Sequence, residues 1–181
     1  IGVHEAVDPD AWFPVDVPLE HTEQARRHSD WRTQVPVLRT GPPGLAHTLR
    51  TSRRDLGSLR IVDPDQPADQ VVAAGSPWFM ALFGRDSLIA SYMSLSLNPE
   101  LALGTVRSLA RRQGMRIDPE TEEQPGRILH EVRFGLEASR ALGGRPAYYG
   151  TVDAAPLFVV LLGELLRWGA PRDEVHALVP A

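Results

Sequence analysis

The chain has 181 residues, a formal net charge of −4 and no cysteine. This length is enough for one domain with a sizeable core, and a chain without cysteine has neither disulfide bonds nor thiolate metal sites. The negative net charge argues against nucleic acid or an anionic membrane surface as a partner. No apolar run reaches the roughly 18 residues that a membrane span needs, so we expect a cytoplasmic protein.

Residues 1–43 are rich in proline, aspartate and histidine. The stretch WFPVDVP, which begins at Trp12, predicts an extended segment because proline excludes a regular helix. A short helix is predicted from about Leu19 to His28. We therefore expect residues 1–43 to be a linker or connector and residues 44–181 to form the main domain.

Residues 44–181 are predicted to form a helical body, with loops between the helices. Leucines recur at helical spacing after Gly44, and the following stretch DPDQPADQ is typical of a loop. A buried helix is expected to begin near Asp86 or Ser87, and an amphipathic helix runs from its cap at Asn98 to Gly114. The stretch AAPLFVVLLGELLRWG predicts another buried helix. No alternating β pattern is visible, so the fold class is predicted to be all-α, with alternating inner and outer helices.

Three polar groups lie where a loop meets an apolar stretch, and two aromatic residues, Trp78 and Phe83, precede the first of them. Carboxylates accept hydrogen bonds from sugar hydroxyls, arginine donates them, and aromatic rings pack on the apolar face of a pyranose. The sequence therefore indicates a sugar pocket if the three groups meet in space. The groups are Arg85 with Asp86; His130, Glu131 and Arg133; and Tyr148, Tyr149 and Asp153.

Each candidate also has a purely structural interpretation. Asp86 and Asp153 could each be a helix N-cap. Glu131 and Arg133 could form a surface ion pair, while Trp78 and Phe83 could be core residues.

Two other patterns are interpreted without a binding role. Arg107, Arg111 and Arg112 are interpreted as a solvated outer helix face, and no nucleic acid is expected there. HEVRF begins like a zinc-binding helix, but Phe134 replaces its second histidine. No metal site and no cofactor are therefore expected.

Three stretches, GSPWFMALFGRDSLIAS, EEQPGRILHEVRFG and YYGTVDAAPLFV, carry a family resemblance. In order and spacing they resemble the catalytic domain of bacterial glycogen-debranching-type glycosidases. These amylo-α-1,6-glucosidase-like proteins are relatives of the trehalase and α-glucosidase clan of inverting glycoside hydrolases. The resemblance covers about residues 30–181 and implies the N-terminal half of an (α/α)6 toroid. It also implies that residues 1–43 are the tail of a preceding β-sandwich domain.

The resemblance implies the hydrolysis of an α-glucosidic bond in an α-glucan or a small α-glucoside, without a cofactor. An inverting enzyme needs two carboxyl groups about 6.5–9.5 Å apart, and the family's acid and base are expected beyond this sequence, so no catalytic residue is assigned. The alternative is a non-catalytic sugar-binding or assembly module. The residues implied for the innermost sugar subsite are Trp78, Phe83, Arg85, Asp86, His130, Glu131, Arg133, Tyr149 and Asp153.

Half a toroid would leave its inner helices with uncovered apolar faces. The two stretches concerned are SLIASYMSLSL and APLFVVLLGELL. Large exposed apolar patches are uncommon on monomeric proteins, so we expect self-association or association with the missing half of a parent chain.

Overall fold

The structure, a computed structural model, describes residues 18–133 and 147–179. The chain divides into two compact units, and the division lies between Ser58 and Leu59. The described residues contain six α-helices and five short β-strands.

The first unit contains a short 3-10 turn and two helices, α1 (Glu23–Gln34) and α2 (Pro43–Ser58). Thr22 caps α1, because its hydroxyl oxygen accepts a hydrogen bond from the Ala25 amide at 3.2 Å. Trp31 of α1 is fully buried, and its indole Nε1 donates to the Arg53 carbonyl oxygen at 2.8 Å. The helix predicted from about Leu19 to His28 exists but begins and ends later. The described part of the predicted connector is therefore largely helical.

The second unit contains four helices: α3 (Gly84–Met93), α4 (Pro99–Ala110), α5 (Ala154–Arg167) and α6 (Arg172–Ala177). The expected start of α4 is confirmed, since Asn98 Oδ1 accepts a hydrogen bond from the Leu101 amide at 3.3 Å. The predicted start of α3 at Asp86 or Ser87 is wrong. The helix begins at Gly84, and Asp86 lies in its first turn, where a carboxylate interacts favourably with the helix dipole.

Two small antiparallel sheets complete this unit. In one, β1 (Arg60–Val62) pairs with β2 (Gln70–Val72); in the other, β3 (Leu82–Phe83), β4 (Glu131–Val132) and β5 (Ala147–Tyr148) lie side by side in that order. The predicted all-α fold class, a partial (α/α)6 toroid, is therefore wrong. Strands of two or three residues are too short to show the alternation by which a strand is recognised in a sequence.

The expected alternation of inner and outer helices is wrong as well. Helix α4, predicted to be the outer member of a pair, is buried at eight of its residues, among them Leu103 and Val106. By contrast, α3 and α5 each expose apolar side chains, including Tyr92 and Val160. Apolar content indicates that a helix needs a packing partner, but it does not show which of its faces has one.

The loop between β1 and β2 is held against α4 by ion pairs that the sequence did not reveal. The side chains of Asp63 and Asp69 are 1% and 5% exposed. Asp63 accepts hydrogen bonds from Arg111 and Arg112 at 2.7 Å, and Arg111 Nη1 lies 2.8 Å from Asp69 Oδ2. The interpretation of the arginine stripe as a solvated face is therefore wrong.

Burial alone would raise the pKa of the Asp63 carboxyl group. The hydrogen bonds that it accepts from Arg112, Ser108 and Arg111 outweigh burial and hold that pKa well below its usual range. Asp63 is therefore a buried carboxylate that stays ionised at neutral pH.

No helix in residues 18–133 and 147–179 is long and apolar enough to cross a membrane.

Candidate functional site

The three-stranded sheet brings the three polar groups of the sequence together. Phe83 of β3 lies opposite Glu131 of β4, and Glu131 lies opposite Tyr148 of β5. Two further backbone hydrogen bonds fix His130 in the same row: the Gly84 amide donates to the His130 carbonyl oxygen at 2.9 Å, and the His130 amide donates to the Tyr148 carbonyl oxygen at 2.8 Å. Segments that are far apart in the sequence thus form one surface.

Four rings form a continuous row across this surface. Phe79 contacts Phe83 edge to face, with ring centroids 5.9 Å apart. Phe83 contacts His130 in the same manner at 5.8 Å, and His130 contacts Tyr148 at 5.9 Å. Such contacts hold each ring at a fixed angle to the next, because the positive edge of one ring faces the negative face of its neighbour.

Glu131 and Arg133 form an ion pair beside these rings, with Arg133 Nε 2.9 Å from Glu131 Oε2. Their side chains are only 13% and 19% exposed, so this is not a surface ion pair. The Arg133 guanidinium carbon lies 5.9 Å from the Phe79 ring centroid and 6.0 Å from that of Phe83, within the range of a cation–π interaction. Arg133 Nη1 also donates to the Trp78 carbonyl oxygen at 3.1 Å.

Arg85 links the beginnings of α3 and α5. Its Nε lies 3.8 Å from Asp86 Oδ1, and its Nη1 lies 3.5 Å from Asp153 Oδ2. All three side chains are more than a third exposed, so they are open to a ligand. Asp153 occupies the N-cap position of α5, but its side chain makes no capping hydrogen bond to the helix.

Asp153 is held as an ionised carboxylate. The Thr151 hydroxyl donates to Asp153 Oδ1 and lowers the pKa of that carboxyl group, and the positive charge of Arg85 lowers it further. A carboxyl group with a lowered pKa accepts hydrogen bonds and is poorly suited to donate a proton as a general acid.

Trp78, Phe83 and Tyr149 differ in their surroundings. Trp78 is 78% exposed, so its interpretation as a core residue is wrong, whereas Phe83 is buried and that interpretation is confirmed for it. Tyr149 is also buried, and its hydroxyl donates to the Arg112 carbonyl oxygen at 2.9 Å. These contacts place Phe83 with the row of rings, while the Tyr149 hydroxyl is engaged elsewhere.

Two residues of the row, Phe79 and Tyr148, were not among the residues implied for the sugar subsite. Tyr148 lies in β5 and Tyr149 follows it, and successive side chains of a strand point to opposite faces of the sheet. Only one of two adjacent tyrosines can therefore face the rings. The two adjacent tyrosines in the sequence indicate that one of them faces the rings, but the sequence does not show which one.

An apolar groove lies between α3 and α5, with a cavity of about 100 Å³. The groove is lined by apolar side chains, and it shares no residue with the clusters around Arg85 and Glu131. The lining residues are Leu88, Ile89, Tyr92, Leu157, Val160 and Leu161.

The described residues contain no group of three histidine, aspartate or glutamate side chains placed to hold a metal ion. Comparison of the chain with protein-family models gives no match, and comparison with curated proteins gives none either.

Proposed function

We propose that this chain binds the terminal sugar ring of an α-glucan or small α-glucoside, as part of an inverting α-glucosidase-like or glycogen-debranching-type glycoside hydrolase. The observation that carries the proposal is the convergence of three sequence groups around the three-stranded sheet. There, three carboxylates, two arginines and a row of rings form two neighbouring clusters joined by β3 and β4. A cytoplasmic location belongs to the same proposal.

The arrangement offers each kind of contact that a pyranose needs. Arg85, Asp86 and Asp153 supply charged donors and acceptors that are partly exposed, and charged groups form the stronger hydrogen bonds. Trp78 and Phe79 supply exposed aromatic surface. Sites of this kind combine apolar walls with a few fixed polar groups that orient the ligand.

Calorimetric titration with maltose tests the binding proposal. We expect saturable binding by the wild-type chain and a Kd about tenfold higher or more for Asp153→Asn, since a hydrogen bond to a charged group contributes about 1.5–3 kcal/mol. The matched control is Asp173→Asn, which removes an exposed carboxylate from the first turn of the next helix and should change the Kd less than about twofold. Equal losses in both variants would contradict the proposal.

The non-catalytic sugar-binding module is the second candidate, and one observation favours it. The hydrogen bond from Thr151 and the positive charge of Arg85 lower the pKa of Asp153, whereas a general acid needs a raised pKa. Release of nitrophenol from p-nitrophenyl α-glucoside, abolished in Asp153→Asn, would support a hydrolase. Maltose binding without any turnover would support the binding module.

Self-association through the apolar groove is also part of the proposal. Two copies related by a two-fold axis would present the same face to each other and cover Ile89, Tyr92 and Val160. We expect Val160→Glu to shift the mass measured by sedimentation from dimer to monomer, because each copy would then bury an unpaired carboxylate in the interface. Met115→Glu, at an exposed apolar residue in the loop after α4, should not change that mass. A monomeric wild-type chain that binds no apolar dye would contradict self-association.

A further inference from the structure

The loop that follows α4 is fixed by its own hydrogen bonds. The Gly114 amide donates to the Arg127 carbonyl oxygen at 2.8 Å, and the Gly126 amide donates to the Gly114 carbonyl oxygen at 2.9 Å. Inside the loop, the buried carboxylate of Glu123 accepts hydrogen bonds from the Met115 amide at 2.9 Å and from Arg116 Nε at 3.1 Å. The loop is therefore held in one conformation by hydrogen bonds between its own residues.

Glu122 lies in this loop, and its position is fixed from two sides. Its φ of 57° lies in the left-handed region, which a residue other than glycine rarely occupies. Arg127 Nη1 donates to the Glu122 carbonyl oxygen at 2.9 Å and lies 3.8 Å from Glu122 Oε2. The other carboxylate oxygen, Oε1, accepts a hydrogen bond from the Tyr148 hydroxyl at 2.8 Å.

Tyr148 connects the loop that contains Glu122 to the candidate site, because its ring contacts His130 edge to face and His130 contacts Phe83. We infer that Glu122 is a positioning residue, which sets the orientation of the Tyr148 ring and, through His130, of the aromatic wall of the sugar site. The part of this inference that concerns sugar rests on the proposed function.

A purely structural role, in which the Glu122–Tyr148 hydrogen bond attaches the loop to β5, explains the geometry less well. The Tyr149 amide already donates to the Thr121 carbonyl oxygen at 2.8 Å, which attaches the loop to the end of the same strand. The bond from Tyr148 is made by a side chain, so what it adds is control of the ring's orientation. The hydrogen bond to the Glu122 carboxylate also raises the pKa of the Tyr148 phenol.

Glu122→Ala and Glu122→Gln test the inference, and the control is Glu100→Ala, which removes an exposed carboxylate at the start of α4. In Glu122→Ala we expect the pKa of Tyr148, followed by ultraviolet titration and assigned with Tyr148→Phe, to fall. We also expect the NMR resonances of the His130 ring to shift, and the Kd for maltose to rise about three- to tenfold. Glutamine retains an acceptor oxygen, so Glu122→Gln should restore the His130 resonances and bring the Kd to within about twofold of wild type.

The outcomes separate this inference from the proposed function. If Glu122→Ala lowers only the melting temperature and leaves the His130 resonances unchanged, the residue merely attaches the loop and the inference is overturned. If the resonances and the phenol pKa change but the wild-type chain binds no maltose, the positioning role is supported and the sugar site is refuted. Changes of the same size in Glu100→Ala would also overturn the inference.

Discussion

Replacement of Asp63 by alanine is expected to lower the free energy of unfolding by about 3–5 kcal/mol, the range found when one partner of a buried ion pair is removed. The variant leaves Arg111, Arg112 and Ser108 without the carboxylate that accepts their hydrogen bonds. The ion pairs of Asp69 with Arg107 and Arg111 remain in this variant, so the β1–β2 loop keeps part of its attachment to α4. Urea denaturation measures the change, and the midpoint should fall while the slope stays the same if only the native contacts are lost.

Asp65→Ala is the matched control, because Asp65 belongs to the same loop and also pairs with Arg112 but has a 67% exposed side chain. An exposed ion pair contributes about 0–1 kcal/mol, so the control should be nearly as stable as the wild-type chain. The Asp65 amide, which donates to Asp63 at 2.9 Å, is retained in this variant. Similar losses in the two variants would show that burial of Asp63 is not the source of its effect.

The contribution of Asp63 to the free energy of unfolding should also depend on pH. The pKa of Asp63 is lower in the folded chain than its value of about 3.9 in an unfolded chain, so its ionised form stabilises the fold above that pH. This contribution is lost as the pH falls from about 4 toward the folded pKa. Asp63→Asn should therefore lose less stability than the wild-type chain when both are taken from pH 5 to pH 2.

These arginines also show what a sequence alone does not reveal. Arg107, Arg111 and Arg112 have the spacing of a solvated helix face, and their partners Asp63 and Asp69 lie about 40–50 residues earlier. Helical periodicity relates residues three or four positions apart, and it carries no information about pairs at this separation. Local signals were more reliable: Asn98 caps α4, and Gly169, with a φ of 84°, follows the end of α5.

For the candidate site, too, the sequence indicates the local features but not the long-range pairing. The sequence identified Arg85, Glu131 and Asp153 by residue type and by their position next to apolar stretches. It did not reveal that β3, β4 and β5 join them, because two-residue strands leave no periodic pattern. Without strand register the choice between Tyr148 and Tyr149 was not accessible either. The residue types of the site were predictable, whereas the pairing that assembles them was not.

Gly84 is packed closely against the backbone that precedes β4. It follows Phe83 at the point where β3 ends and α3 begins. A Cβ atom placed on Gly84 would overlap the Leu129 carbonyl oxygen and lie 2.9 Å from Ala154 Cβ. The obstructing oxygen belongs to the backbone next to β4, so it cannot move away as a flexible side chain would. We expect Gly84→Ala to lower the free energy of unfolding by about 1–3 kcal/mol or more, as overpacking of a close contact does.

Two other glycines provide the controls. A Cβ atom on Gly163, inside α5, would meet no atom outside its own helix within 4 Å, so Gly163→Ala should raise stability by about 0.5–1 kcal/mol through helix propensity. At Gly104 a Cβ would lie 2.5 Å from the Gln70 carbonyl oxygen, so Gly104→Ala should destabilise the chain away from the site. If the proposed maltose site exists, only Gly84→Ala should also weaken maltose binding, because it displaces Phe83 of β3 and Arg85 of α3 from β4. A Gly84→Ala chain with reduced stability but unchanged affinity would mean that the sheet does not set the geometry of the proposed sugar site.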